Sequence, residues 1–322
     1  MIGKIPHQFG VTILSRGLVY QRRGRYTVIE QQNNRPHKFN SQIQIIIMNI
    51  SALHTACKNR LVRTVEKILN EDATLVHAVT ESLQTPLHII SSRKDIRSHK
   101  IARMLLQAEA NVNAIDASGN TPLHCACRVG NALVISVLIA GGAHVNLVNH
   151  NGETSLNLAG SFGSKHPECI RLLLQVGADV NSQDNCGNTP LMSTWSPDQL
   201  TVEKATNKAA VTMLLQAGAS VMLRNFRGET VLDKYVRCHS AWHVVQFIQA
   251  GANLSAPDSS GQSLLSKARQ NVYGSGISAL ILRLHFMIHL VTCWARCAAT
   301  RSGSLRYLPT ELIRKLDDML FD

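Results

Sequence analysis

The chain has 322 residues, 17% of them charged and 5% aromatic, with a formal net charge of +12. The excess is uneven: +6 in residues 1–50, +3 in 51–268 and +3 in 269–322, so the largest share of it lies ahead of the central region. A nucleic-acid-binding domain wants a basic face on its folded part, and so diluted a charge over 51–268 argues against that class. Eight scattered cysteines without a paired C-x-x-C array fit reduced thiols in the cytoplasm or nucleus better than a disulfide framework.

In chain order, residues 1–47 come first and resemble nothing that follows. Arg22-Arg23-Gly24-Arg25 and the polar stretch Gln31–Pro36 suggest a basic, flexible segment, and Met48 directly precedes the first regular unit. From there a phrase recurs. Thr85-Pro86-Leu87-His88 returns as Thr121-Pro122-Leu123-His124 and Thr189-Pro190-Leu191-Met192. Looser copies begin at Ser51, Thr154, Thr230 and Ser263, so successive heads are 33 to 41 residues apart. Each head is a helix start: a hydroxyl to cap free N–H groups, in the three full copies a proline suited to the first turn, then a leucine that opens an apolar face. In the unit from Thr121, Leu123, Ala126 and Val129 outline a first helix, Gly130-Asn131 breaks it, and Val134, Val137 and Leu138 mark a second. Gly142 permits a left-handed stop. Glu109 stands at the corresponding place one unit earlier, which predicts a stiffer, strained ending there.

This period, headed by T-P-L-H, is the signature of the ankyrin repeat, and residues 48–270 resemble that family. The resemblance implies an all-α solenoid of about seven helix-turn-helix units. It also implies a protein that binds a target protein through its turn tips and first helices, on a concave face. The tip candidates are Asp116, Asn120, His150, Asn151, Asp184, Asn185, Arg224, Phe226 and Arg227; an aromatic between two arginines makes Phe226 an anchor candidate. Trp195 opens the insertion of the longest unit, where loops often lie near the binding face. His88 and His124 are expected to tie neighbouring units together rather than to bind metal.

After Gly274-Ser275-Gly276 comes an apolar helical stretch, Ile277–Cys297, interrupted by Arg283, His285, His289 and Arg296. Its uncharged run is too short to span a bilayer. The chain closes on Leu308-Pro309 and an amphipathic helix whose Leu312, Leu316, Met319 and Leu320 share a face. Residues 277–322 resemble a SOCS box, the module that follows the repeats in ankyrin repeat and SOCS box proteins. That resemblance implies Leu290 and Cys293 as elongin-binding residues and Leu308, Pro309 and Leu312 as cullin-facing ones. Elongin B/C and a cullin would then be partners, and the chain the substrate-recognition subunit of a cullin-RING ubiquitin ligase. A helix that merely caps the last unit is the alternative, with the chain a scaffold or inhibitor.

No enzyme is expected, and no cofactor or metal. His239 and His243 lie one turn apart, but Ser240 stands where a zinc protease needs glutamate. Gly160-Ser161-Phe162-Gly163-Ser164-Lys165 lacks phosphate-loop spacing and is expected to be a lengthened turn between two helices.

Overall fold

The computed structural model describes residues 9–14, 17–22, 25–30, 52–162, 167–195, 204–237, 240–258, 260–270, 272 and 276–286. They fall into two compact units, Met1–Ala219 and Ser220–Asp322.

In the first unit the repeat heads form helices by one device. Thr85, Thr121, Thr154 and Thr189 each accept, through the side-chain oxygen, the N–H three residues on, at 3.3–3.4 Å. That satisfies a donor which a starting helix would otherwise leave open. The first helices of the row are α1 (52–58), α3 (Pro86–Ser91), α5 (Pro122–Val129), α7 (Ser155–Phe162) and α9 (Pro190–Ser193). Each returns through an antiparallel second helix: α2 (Val62–Glu71), α4 (Ile96–Gln107), α6 (Ala132–Ala140), α8 (Pro167–Gln175) and α10 (Lys204–Gln216). First helices pack on first helices and second on second along the row. The leucines after the heads, Leu53, Leu87, Leu123, Leu156 and Leu191, are buried between units, as are Ile101, Leu105, Val134, Leu138, Ile170, Leu173, Val211 and Leu214 from the second row. No one unit could bury its own face; stacking builds the core.

The second unit repeats the pattern with α11 (Val231–Val236), α12 (Ala241–Gln249) and α13 (Leu264–Arg269), started by Thr230 and Ser263. Tyr235, His243 and Phe247 form its aromatic centre, with Tyr235 meeting Phe247 edge-on at 5.1 Å between centroids. A further helix, α14 (276–286), buries Ile277, Ile281 and Leu284, one stripe by i, i+4, i+7 spacing.

Two features differ from the sequence-based expectation. Residues 9–30 hold an antiparallel meander of β1 (Phe9–Leu14), β2 (Gly17–Arg22) and β3 (Arg25–Glu30), in a segment expected to be flexible. Its pairing runs Val11 opposite Tyr20 and Tyr20 opposite Thr27, β-branched and aromatic residues suited to a pleated surface. Residues 160–162, expected in a turn, instead complete α7; residues 163–166 lie outside the described residues. A side chain at Gly160 would place its Cβ 2.7 Å from the Pro190 carbonyl oxygen of α9, so glycine here allows two helices to approach.

Glu109 is left-handed as expected, at φ +64°, matching Gly142 at +85° one unit on. Arg60 and Leu83 are the other non-glycine residues with positive φ among the described residues. Arg60 stands where the unit from Thr121 has Gly130, and Leu83 where the turn ahead of Thr121 has Gly119.

Candidate protein-binding site

Five of the inter-repeat turns are built from five residues with fixed duties. The first is Asp116, Asn149, Asp184, Asn225 or Asp258. Its Oδ1 accepts the N–H of the residues two and four places on, between 2.7 and 3.1 Å: Ser118 and Asn120, Asn151 and Glu153, Cys186 and Asn188, Arg227 and Glu229, Ser260 and Gln262. The side chain thus replaces backbone partners that a tight turn lacks. The fourth residue is glycine with positive φ in all five. The second and third are left outward: Ala117 and Ser118, His150 and Asn151, Asn185 and Cys186, Phe226 and Arg227 are all exposed. In the first unit the tips are also laced by backbone bonds, Ala117 to Ser82, His150 to Ser118 and Asn185 to Asn151, at 2.9–3.0 Å.

This arrangement sorts the sequence candidates. His150, Asn151, Asn185, Phe226 and Arg227 occupy the presented places, and Phe226 is 78% exposed. Asp116 and Asn120 are only 7% and 3% exposed. The Asp116 carboxylate is used inside its turn, and the Asn120 amide oxygen accepts from Arg128 and from Asn149. Asp184 is half-buried and spent in the same way. Arg224 is half-buried and donates to the Gly228 carbonyl across its own turn. Trp195 is half-buried just past α9 and belongs to no tip. Leu290, Cys293, Leu308, Pro309 and Leu312 lie outside the described residues. Ala117 and Cys186 are presented residues that were not picked from sequence. Their signal was positional, the two places before each turn glycine.

Beneath the tips the histidines connect one unit to the next. His88 Nδ1 accepts the Thr85 N–H at 3.2 Å, so its Nε2 carries the proton donated to the Asn120 carbonyl at 2.9 Å. His124 does the same between Thr121 and Glu153, at 3.1 and 3.0 Å. His54 reaches the Gln84 carbonyl at 3.3 Å. In the next unit Asn157 substitutes: its Oδ1 accepts the Thr154 N–H at 3.0 Å and its Nδ2 donates to the Asn188 carbonyl at 3.3 Å. The expected tie between units is therefore present, made by a neutral imidazole.

Burial lowers the pKa of His88 and of His124, and the carbonyls of Asn120 and Glu153 offset this only in part. The unfolded chain then binds more protons than the folded one just below the ordinary value of 6.5. Stability is full above that pH and falls as acid is added. His88→Asn with His124→Asn should keep the links, as Asn157 does. Its unfolding midpoint should drop less than wild type's between about pH 7.5 and pH 5, and parallel urea titrations check this. An equal drop in both proteins would exclude the two imidazoles as its source.

No reactive nucleophile emerges from the buried thiols. Burial pushes Cys57 up to about 12 and Cys125 and Cys169 up to about 11, so all three stay protonated. Among the described residues no three His, Cys, Asp or Glu side chains converge as metal ligands. Nor is any described helix long and apolar enough to cross a membrane.

Comparison with known proteins agrees with this geometry. The chain is 33% identical over 142 residues to Tyrosine-protein kinase HTK16 of Hydra vulgaris, covering 43% of this chain and 18% of that protein. It is 33% identical over 147 residues to NF-kappa-B inhibitor alpha of Sus scrofa, covering 42% of this chain and 45% of the relative. With Ankyrin repeat and SOCS box protein 16 of Homo sapiens it shares 31% identity over 190 residues, 57% of this chain and 39% of the other. It thus spans less than half the length of each of these relatives. The family model for ankyrin repeats in three copies matches residues 53–149, 102–184 and 130–225, more than half of the sequence without a gap. With its self-capped turn tips and histidine ties between stacked units, the chain belongs to the ankyrin-repeat family.

Proposed function

We propose that this protein is a non-catalytic adaptor, the substrate-recognition subunit of a cullin-RING ubiquitin ligase, working in the cytoplasm or nucleus. The repeats hold a target protein at the presented tip residues, His150, Asn151, Asn185, Phe226 and Arg227, with Trp195 as an outlying contact. Leu290 and Cys293 hold elongin B/C, and Leu308, Pro309 and Leu312 face the cullin. The observation that carries this is the order of parts, ankyrin repeats followed by a Leu- and Cys-bearing apolar stretch and a Leu-Pro helix start. The likeness to an ankyrin repeat and SOCS box protein supports it.

A scaffold or inhibitor without ligase partners is the second reading. The likeness to NF-kappa-B inhibitor alpha favours it, and so does the burial of Ile277, Ile281 and Leu284, which a capping helix requires.

Co-purification of the full chain with elongin B/C separates the two. The adaptor should retain elongin, and Leu290→Ser with Cys293→Arg should release it, because neither a hydroxyl nor a guanidinium enters an apolar pocket without large cost. Absence of elongin from the wild-type preparation selects the scaffold. Retention by a folded double variant removes Leu290 and Cys293 from the site.

A further inference from the structure

The charge of the repeats is concentrated in one place. Residues 93–103 hold Arg93, Lys94, Arg97, Lys100 and Arg103 against Asp95, a net +4 that exceeds the +3 of all of 51–268. Arg97, Lys100 and Arg103 are three apart on α4, so they share its outer face, and all three are exposed. Arg97 leans back on Asp95 at 3.3 Å, whereas neither Lys100 nor Arg103 has an acidic partner among the described residues.

Beside this stripe runs α6, which carries no charged side chain at all. Leu133 is 50% exposed, Ser136 and Ala140 are exposed, and Val137 is half-buried. Between the two helices lies an open groove lined by Arg103, Leu106 and Gln107 from α4 and by Ser136, Val137 and Ala140 from α6. On the far side, α8 presents Glu168 and Arg171, which satisfy each other, Arg171 Nε donating to Glu168 Oε2 at 2.8 Å. The outer surface therefore reads, across the row, as cations, an apolar strip, and a neutral pair.

We propose that the α4–α6 surface docks an amphipathic helix of a partner protein, with an apolar ridge in the groove and glutamate or aspartate on the flank facing Lys100 and Arg103. The groove follows two neighbouring helices, so it is shaped for a helical ridge. A peptide that binds by strand addition would need a free strand edge, which these helices do not offer. Phosphates of a nucleic acid or a lipid would meet the cations but would gain nothing from the strip of Leu133, Val137 and Ala140. The surface lies on second helices, apart from the turn tips, and does not depend on elongin binding.

The test uses the full chain and a labelled synthetic helix of about five turns, with leucines at i, i+3, i+4 and i+7 spacing and glutamates on one flank. Saturable binding at about 0.05 M salt should weaken at about 0.5 M, where a helix with lysine in place of glutamate should not bind at either concentration. Lys100→Glu with Arg103→Glu should weaken binding about tenfold or more. Ser136→Glu, at an exposed and uncharged place in the strip where the fold is not at risk, should weaken it too. Affinity unchanged in both variants would overturn the proposal. So would absence of helix binding, including the case where duplex DNA or phosphatidylserine vesicles bind instead and are lost in the same variants.

Discussion

Leu123→Ala should destabilise the protein by roughly 2–5 kcal/mol, read from the urea midpoint by far-ultraviolet circular dichroism. Leu123 is fully buried in α5, which packs against α3 on one side, α7 on the other and α6 behind. Truncation removes apolar contact from two inter-unit interfaces at once and leaves a cavity that cannot collapse without moving both neighbours. In a stacked array each unit is held mainly by its neighbours, so the loss should extend beyond its own unit. A change below about 0.5 kcal/mol would contradict the packing of α5 described above.

Gly160→Leu should cost about 3 kcal/mol or more, although leucine is the better helix former by nearly 1 kcal/mol. The reason is the 2.7 Å approach that a Cβ would make to the Pro190 carbonyl, a backbone atom held in α9. Relief requires α7 and α9 to separate, which opens the core around Leu156 and Leu191. Gly276→Ala is the control, since nothing lies within 4 Å of a Cβ there. It should leave stability unchanged or slightly raised. A tolerated leucine at 160 would mean that α7 and α9 are not in close contact.

Much of the fold was legible because its signals are local and repeated. Caps, left-handed stops and turn glycines each act within a few residues, and recurrence fixed their register. Even the tie from His88 to Asn120, 32 residues away, could be anticipated, because the period places a like partner beside every head. Gly160 was misplaced because its glycine answers to a neighbouring helix and not to its own backbone. The meander of residues 9–30 was missed because arginines and a polar stretch suggested looseness. Its short runs of Val, Tyr and Ile only become strands by pairing. At the tips, composition identified polar residues but could not tell which face inward. Asp116 and His150 look equally available in sequence, yet one is consumed by its own turn and the other is presented. The basic face of α4 was hidden by averaging charge over more than two hundred residues.

The division of labour within each tip bears on how such a protein changes its partners. The first, fourth and fifth residues of a turn fold the chain, while the second and third are bound mostly through their backbone N–H groups and leave their side chains largely presented. Those two positions can drift with little loss of stability, so selection for a new target need not first pass through a weakened fold. With several tips in the row, the variable places act like letters on a fixed type-bar. His150-Asn151 and Asn185-Cys186 are two settings of it. Diversity of binding within one architecture follows from where the hydrogen bonds of a five-residue turn are spent.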